Sequence, residues 1–301
     1  MKYFITGSNG LLGQTIYKNL QKNFFVPKEN IYAVSRGSNR ISYIPDNRFI
    51  SWDLTRKEID WPYLPDRDSV LIHCAAMTNV DECEKKQHLA YQCNVEASRN
   101  LAAFANQQNC KFIFLSTDFV FDGSKGIYEE NDPPNPVNYY GKTKMWAEQS
   151  VLEEKPDTII VRTIVVYGHG IGLSKKNIVE FILEKLLNNQ PVTLVQDQYR
   201  MPTYVEDLAD AVIKLSQTGL KGIFHISGGE QMSIADMGRK IAEYLNKPID
   251  LISPVDSNYF ANMAPRPPKT GFSLKKISNS IHYSPTPFIQ SIDSIYKQII
   301  K

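Results

Sequence analysis

Short apolar runs alternate with longer amphipathic segments through the first half of this 301-residue chain. The apolar runs are of strand length and predict the strands at residues 3–6, 31–35, 70–74, 112–116 and 159–162. Helical periodicity lies between them and predicts helices at residues 11–21, 86–107 and 140–152. Because parallel strands are usually connected by helices, this alternation predicts an α/β fold with a doubly wound parallel sheet.

A glycine-rich turn stands between the first predicted strand and the first predicted helix. Residues 6–13 read TGSNGLLG, which places Gly7, Gly10 and Gly13 at GxxGxxG spacing. Glycine allows a tight turn and leaves room for a phosphate. The backbone amides at a helix N-terminus attract anions, and here the first helical residues are Leu11 and Leu12. The turn therefore predicts a Rossmann-type, dinucleotide-binding domain, with a ligand-free glycine turn as the alternative.

The residues after the second predicted strand carry positive charge. Arg36 follows that strand directly, and Arg40 is close to it in the sequence. A guanidinium there suits the 2′-phosphate of NADP, whereas an acidic residue would suit the ribose of NAD. We therefore expect NADPH as the cofactor, with NADH as the alternative if Arg36 is a solvated surface arginine.

The second half of the chain is less regular because proline-bearing loops separate its shorter elements. A predicted helix at 205–216 and a predicted strand at 223–226 nevertheless return to the pattern of the first half. We therefore expect an NAD(P)-binding domain of residues 1–167 with 204–226 returning to it. Residues 168–203 and 227–301 would form a smaller α+β substrate-binding region.

Composition argues against several classes of protein. Lys and Arg number 34 against 32 Asp and Glu, a net charge of +2, and no basic run has the density of a nucleic-acid site. No signal peptide or membrane-spanning apolar run is present, so we expect a cytoplasmic protein without a membrane partner. The four cysteines lack metal-ligand spacing, and no metal is expected.

A tyrosine and a lysine stand four residues apart at the start of the third predicted helix. Tyr140 and Lys144 share a helix face, and an adjacent ammonium lowers the pKa of a phenol. The strand at 112–116 ends in hydroxyls at the edge where such sheets bind ligands. Thr117, or alternatively Ser116, would hydrogen-bond a substrate carbonyl, and Tyr140 would donate a proton to it.

Together these motifs resemble the extended short-chain dehydrogenase/reductase family, an oxidoreductase family, over essentially the whole chain. The matching landmarks are residues 6–13, Asp53 and Leu54, residues 73–76, Asn94, residues 116–118, Tyr140 and Lys144, and Arg162 and Thr163. Within the family, residues 76–81, 117–123 and 197–203 resemble dTDP-4-dehydrorhamnose reductases. That resemblance implies NADPH-dependent reduction of a 4-keto nucleotide sugar in dTDP-rhamnose biosynthesis, by a monomer or a homodimer.

The resemblance also implies roles for individual residues. Tyr140 would be the proton donor, Lys144 its partner and a ligand of the ribose, and Thr117 the hydroxyl that polarises the carbonyl. The implied cofactor contacts, beyond the glycine loop and Arg36, are Asp53, Leu54, Ala75, Ala76, Asn94, Tyr140 and Lys144. The implied substrate contacts are Thr78, Val80, Phe119, Arg200 and Arg266.

The chain also departs from those reductases. Val165 stands where they carry a tryptophan, and Phe119 replaces a tyrosine, so the sugar or the reaction can differ. An epimerase acting on a nucleotide sugar is one alternative. A non-catalytic regulatory subunit is the other, because residues 222–232 and the Arg266-Pro267 region resemble the beta subunit of methionine adenosyltransferase.

Overall fold

A sheet of seven parallel strands forms the centre of the structure, a computed structural model that describes residues 1–56, 58–260 and 263–300. Numbered along the chain, the strands are β1 (Lys2–Thr6), β2 (Ile31–Ser35), β3 (Phe49–Ser51), β4 (Ser69–His73), β5 (Lys111–Thr117), β6 (Gly126–Tyr128), β7 (Ile159–Thr163), β8 (Val166–Tyr167), β9 (Val192–Val195), β10 (Tyr199–Arg200), β11 (Thr203–Tyr204), β12 (Gly222–Ile226), β13 (Met232–Ser233), β14 (Ile252–Val255) and β15 (Thr270–Phe272). The order in the central sheet is β12-β7-β5-β4-β1-β2-β3. The predicted α/β fold with a parallel sheet is confirmed.

Helices cover both faces of this sheet and build a second, smaller layer beside it. They are α1 (Leu11–Lys22), α2 (Val80–Lys85), α3 (Gln87–Tyr91), α4 (Ala97–Gln107), α5 (Tyr139–Glu154), α6 (Ile178–Leu187), α7 (Val205–Ser216), α8 (Ile234–Tyr244), α9 (Lys275–Ile281) and α10 (Phe288–Ile299). Among the described residues, no helix is long and apolar enough to cross a bilayer.

The central sheet is apolar on both faces, as parallel sheets usually are. Successive residues of a strand point to opposite faces. In β1, Ile5 packs with Ile16 of α1 and Leu208 of α7, whereas Phe4 packs on the other face with Leu101 of α4 and with α5. The helices on the two faces of the sheet therefore hold the strands in fixed positions, together with the loops at the carboxyl ends of the strands.

The strand order reverses between β1 and β4. From β1 the chain runs outward to β2 and β3, and then returns to β4 on the other side of β1. Parallel sheets leave a crevice at such a reversal, next to the carboxyl ends of the strands. The glycine turn that follows β1 and residues 74–76 that follow β4 both lie at this point.

A second apolar cluster lies outside the sheet and joins α6, α8 and α10 to the parallel pair β9 and β14. Three short pairs lie outside the sheet: β6 with β15 connects the two halves of the chain, whereas β8 with β11 and β10 with β13 connect segments of the second half. Helix α7 packs against α1, and β12 is an edge strand of the central sheet. The division of the chain into two domains at 167, 204 and 226 stays a prediction.

The predicted helix at 86–107 is confirmed in its extent, because α3, a π-helical turn (Gln92–Glu96) and α4 follow one another without a break from Gln87 to Gln107. The sequence analysis did not predict the π turn or the preceding short helix α2. A π turn inserts one residue into the helical hydrogen-bond pattern and turns a side chain to a new direction. Here the turn contains Asn94, whose amide is used at the candidate site. Strand β3 is also absent from the prediction.

Candidate functional site

The glycine turn after β1 is packed so closely that side chains would not fit. Gly7 has φ +70°, and a Cβ on it would lie 2.8 Å from the backbone nitrogen of Ala75. A Cβ on Gly13 would collide with the carbonyl oxygen of Gly7. Gly10 donates its backbone N–H to the carbonyl of Gly7 at 2.9 Å and closes the turn. A Cβ on Gly10 would also approach the Gly7 oxygen closely, at 3.1 Å, so the packing explains all three glycines and leaves an open cradle at the N-terminus of α1.

The first turn of α1 has amides to offer a ligand. The first backbone bond of the helix runs from Gln14 N–H to Gly10 C=O at 3.1 Å. The amides of Leu11, Leu12 and Gly13 precede that bond and point out of the helix end, where an anion is stabilised. The chemistry and shape of this cradle fit the pyrophosphate of a dinucleotide.

Asn9, within the glycine turn, fixes the neighbouring loop after β2. Its side chain donates to Ser38 C=O at 3.0 Å and accepts from the Arg40 N–H at 3.1 Å. In that loop, Arg36 is 80% exposed, and its guanidinium lies 4.0 Å from the Asp53 carboxylate. Sequence reasoning missed Asn9, although an amide side chain inside a glycine turn is the signal that could have indicated it.

The remaining predicted cofactor residues lie along the same crevice. Leu54 is partly buried against the aromatic core that contains Trp52 and Trp61. Ala75 contacts Gly7 directly, and Ala76 follows it at half-buried depth. The residues from β1, β2 and β4 thus form one continuous lining.

Helix α5 brings Tyr140 to the end of β5. Asn138 caps the helix by accepting from the Gly141 N–H at 2.8 Å. Gly141 lies directly against the backbone of Phe119, where a Cβ would collide with the carbonyl oxygen. The missing side chain lets the helix approach the strand end, so Tyr140 comes close enough to Thr117 for that hydroxyl to act on the pKa of the phenol.

Two neighbouring hydroxyls end β5, and they point in different directions. Thr117 donates to the Asp118 carboxylate at 3.2 Å, accepts from the Phe119 N–H at 3.3 Å, and contacts Tyr140. Ser116 instead donates to the Glu148 carboxylate underneath α5. The structure therefore separates the two alternatives by position, because Thr117 is the hydroxyl beside Tyr140.

Lys144 lies one turn after Tyr140 and is almost fully buried. Its ammonium donates to the Leu115 carbonyl at 2.7 Å and lies 4.0 Å from the centre of the Phe114 ring. Burial lowers the pKa of Lys144 to about 7, although the charge of Glu148 opposes that shift. The amine is thus held close to its titration point near neutral pH.

The electrostatics of Tyr140 differ from the sequence-based expectation. Burial raises the pKa of its phenol, and the nearby Thr117 hydroxyl offsets this rise only in part. The ammonium of Lys144 is bonded to a strand carbonyl, so desolvation outweighs the expected effect of the neighbouring charge. In this arrangement Tyr140 is a protonated phenol, the form that can donate a proton.

Asn94 connects the loop after β4 with helix α5. Its amide accepts from the Met77 N–H at 2.8 Å and donates to Met77 C=O and to the Thr143 hydroxyl, each at 3.0 Å. The side chain is 1% exposed. Its amide therefore fixes the position of the loop and of the helix turn that carries Tyr140 and Lys144.

An apolar group surrounds the Tyr140 ring on the side of the predicted substrate contacts. Val80 and Met77 pack against it, and the Phe119 ring meets it edge-on with centres 5.8 Å apart. Thr78 is exposed at the rim. Two of the predicted residues, Val80 and Phe119, therefore pack beside the phenol, and Thr78 lies between Met77 and Val80 in the sequence.

Residues 264–268, here called the clasp, hold the second half of the chain against this group. Asp81 of α2 accepts from the Ala264 N–H and from the Arg266 guanidinium, both at 2.8 Å. Asn138 at the start of α5 donates to Pro265 C=O at 2.8 Å. The clasp thus contacts both helices that flank Tyr140.

Arg200 anchors the other end of the clasp. Its guanidinium donates to Pro267 C=O and Tyr199 C=O, both at 2.7 Å, and lies 3.8 Å from the Asp118 carboxylate. With 3% of its side chain exposed, Arg200 is a buried anchor between strands. Arg266 keeps 17% of its side chain exposed and is the more accessible of the two predicted arginines.

Val165, which stands at the position of the absent tryptophan, has an unusual backbone. Its φ of +39° lies in the left-handed region, which a β-branched residue rarely adopts. Its carbonyl and that of Ile164 both accept from the Thr203 N–H, at 3.2 and 3.0 Å. Such strain persists where the surroundings enforce it, often at functional sites.

No group of three or more His, Cys, Asp or Glu side chains within the described ranges could hold a metal ion. The four cysteines are free thiols.

The family model described as the RmlD substrate binding domain matches residues 1–300. The chain belongs to this family. Among solved structures it is similar to a dTDP-4-dehydrorhamnose reductase of Bacillus anthracis in complex with NADP, with 30% identity, a TM-score of 0.79, and coverage of 99% of this chain and 100% of that one. It is likewise similar to a dTDP-4-dehydrorhamnose reductase of Clostridium acetobutylicum, with 28% identity, a TM-score of 0.80 and full coverage of both chains.

The sequence relatives include a subunit of a different enzyme as well as a reductase. Methionine adenosyltransferase 2 subunit beta of Bos taurus is 34% identical over 271 residues, which cover 88% of this chain and 78% of that protein. A protein of Haloferax volcanii named "Probable low-salt glycan biosynthesis reductase Agl14" is 30% identical over 93% of this chain and 92% of its own length. The resemblance to extended short-chain dehydrogenase/reductases is confirmed, and the proteins similar to this chain include both reductases and a subunit of methionine adenosyltransferase.

Proposed function

We propose that this protein uses NADPH to reduce the 4-keto group of a nucleotide sugar, as in dTDP-4-dehydrorhamnose reductases. The observation that carries the proposal is the meeting of Thr117, Tyr140 and Lys144 next to the glycine cradle. Lys144 lies close enough to Cys74 to affect its pKa, and Cys74 contacts Gly7 in turn. The hydroxyl pair and the cradle therefore share one crevice.

In this proposal the amides of the glycine turn bind the pyrophosphate, and Arg36 binds the 2′-phosphate. A bound NADPH would supply the hydride to the carbonyl carbon. Thr117 and Tyr140 hydrogen-bond the carbonyl oxygen, and Tyr140 gives its proton to that oxygen as the C–O single bond forms. Water returns a proton to the phenolate afterwards. Lys144 exchanges its bond with Leu115 for the ribose hydroxyls.

Substrate binding is assigned to the group around Tyr140 and to the clasp. Val80 and Phe119 offer an apolar wall, and Thr78 offers a hydroxyl at its rim. Arg266 would release Asp81 and bind the diphosphate of the substrate, because a guanidinium can pair with phosphate oxygens in the same way as with a carboxylate. Arg200 supports this arm by fixing Pro267.

The decisive experiment follows NADPH absorbance with a dTDP-4-keto-6-deoxy sugar. Turnover by the wild type and loss of about 100-fold or more in Tyr140→Phe would support the proposal, because phenylalanine keeps the packing and removes the proton donor. Tyr139→Phe is the matched control, since Tyr139 is the preceding residue of the same helix and contacts Trp146. Equal activity of Tyr140→Phe and wild type would refute the assigned proton donor.

A regulatory subunit is the second candidate, and the 34% identity with methionine adenosyltransferase 2 subunit beta favours it. In such a role the dinucleotide would stabilise the fold, and the function would depend on a partner enzyme. Stable complex formation with a methionine adenosyltransferase catalytic subunit, together with no NADPH consumption on any 4-keto nucleotide sugar, would select this candidate over the reductase.

A further inference from the structure

A row of polar side chains crosses three neighbouring strands underneath α5. Ser116 of β5 pairs in register with Arg162 of β7, which pairs with His225 of β12. Glu148 of α5 lies over this row. Its carboxylate accepts from the Ser116 hydroxyl and from two nitrogens of Arg162, at 2.9 and 2.6 Å, while Arg162 also lies 3.4 Å from His225.

The row is isolated from solvent. Ser116, Glu148, Arg162 and His225 are between 0 and 5% exposed. Burial, and then the charge of Arg162, lower the pKa of His225 to about 3, so this imidazole is neutral. Glu148 and Arg162 are thus oppositely charged partners in a low-dielectric layer, where a charge acts over a longer distance than in water.

Glu148 is placed between this layer and the candidate catalytic groups. It follows Lys144 by four residues, so the two side chains lie on one face of α5. Through Ser116 it also holds the residue that precedes Thr117. We propose that Glu148 is a positioning residue of the site, whose carboxylate favours the ammonium form of Lys144 while it fixes the end of β5. This inference rests on the proposed dinucleotide reductase function.

The groups that face Lys144 come from three elements. Glu148 and Tyr140 lie on its own helix, Cys74 and His73 are at the end of β4, and the carbonyl of Leu115 belongs to β5. The thiol of Cys74 has its pKa raised by burial to about 12, and the pKa of His73 is lowered by burial to about 3, so both are uncharged at pH 7. Glu148 is the source of negative charge that acts on Lys144 most strongly.

The test compares variants that all break the ion pair between Glu148 and Arg162 but differ in whether the Glu148 carboxylate is still present. Glu148→Gln removes the charge and leaves Arg162 buried without a partner, which can prevent folding. Glu148→Gln with Arg162→Gln removes both charges and keeps hydrogen-bonding groups. Arg162→Gln is the matched control, because it loses the pair and keeps Glu148. Lys144→Met in each background removes the amine, so that differences report Lys144 alone.

The first readout is the urea midpoint of the cofactor-free protein between pH 5 and 10. The pKa of Lys144 in the folded protein lies below its unfolded value, so its deprotonation makes stability rise with pH above the folded pKa. We expect this rise to begin about one pH unit or more lower in the double variant than in the wild type, and no such lowering in Arg162→Gln.

The second readout is the dissociation constant of NADPH over the same pH range, measured by its fluorescence. The pH at which binding weakens should fall by about the same amount in the double variant, because an uncharged amine interacts less strongly with the ribose. Unchanged pH profiles in the folded double variant would overturn the inference. A wild type that does not bind NADPH would refute the proposed function, and the urea series would still decide the role of Glu148.

Discussion

The two sides of the candidate site are held together in different ways. On the cofactor side, residues 7–13 fix one another and the adjoining loops through backbone contacts, such as Gly10 N–H to Gly7 C=O. On the substrate side, the clasp is held by side chains from distant parts of the sequence, such as Asp81 and Arg266, 185 positions apart. A local backbone motif is rigid and sensitive to any added atom. Polar contacts between distant side chains can instead be broken one at a time without disturbing the others.

Gly13→Ala should have the largest effect, and it should be confined to the cofactor side. The added Cβ would collide with the Gly7 carbonyl, which is backbone and cannot move away without opening the cradle. We expect NADPH binding to weaken by more than about 100-fold, or ~2.7 kcal/mol, by fluorescence titration. Gly219→Ala is the control, because a Cβ there meets no atom within 4 Å. If Gly13→Ala and Gly219→Ala bound NADPH with similar affinity, the glycine turn would not be the rigid, closely packed side of the site.

Arg36→Ala tests the proposed contact with the 2′-phosphate of NADPH, which depends on an exposed side chain. Its guanidinium is 80% exposed, so the change should leave folding unaffected and weaken NADPH binding by about tenfold. NADH binding should stay the same, because NADH has no 2′-phosphate. Parallel titrations of both cofactors measure this difference, and an equal loss for the two would assign Arg36 to the adenosine or the fold instead.

The same contrast explains how much could be read from the sequence. Six strands of the central sheet were predicted because each is a short apolar run, α1, α5 and α7 because of their helical pattern, and the glycine turn because its contacts are local. The short strands outside the central sheet were not predicted. Strand β3 was missed because three residues carry no measurable period. The π turn depends on the bonds of Asn94 to Met77 and Thr143, and the clasp on bonds between helices and a distant loop. No local pattern encodes such contacts.

Asp81→Asn should have the smallest effect and should act on the substrate side alone. The Asp81 carboxylate holds Ala264 and Arg266 in a partly exposed site, so its loss should lower the free energy of unfolding by about 1 kcal/mol and leave NADPH affinity unchanged. Glu82→Gln is the control, because Glu82 is the next residue of α2 and forms an exposed ion pair with Lys86. This variant should show no measurable change in stability.

The contribution of Asp81 to stability should depend on pH, and its pKa fixes the direction of that dependence. Burial acts to raise the pKa of Asp81, but the hydrogen bonds from Arg266 and Ala264 outweigh it, so the pKa is lowered overall. A lowered pKa in the folded state contributes stability above the unfolded value of about 3.9, and that stability is lost as the pH falls through the folded value. Urea unfolding should therefore separate wild type from Asp81→Asn at pH 7, and the difference should shrink progressively as the pH falls below the unfolded value of about 3.9. A difference that persists at low pH would mean that the aspartate supports the clasp by packing rather than by charge, and the substrate side would then resemble the cofactor side.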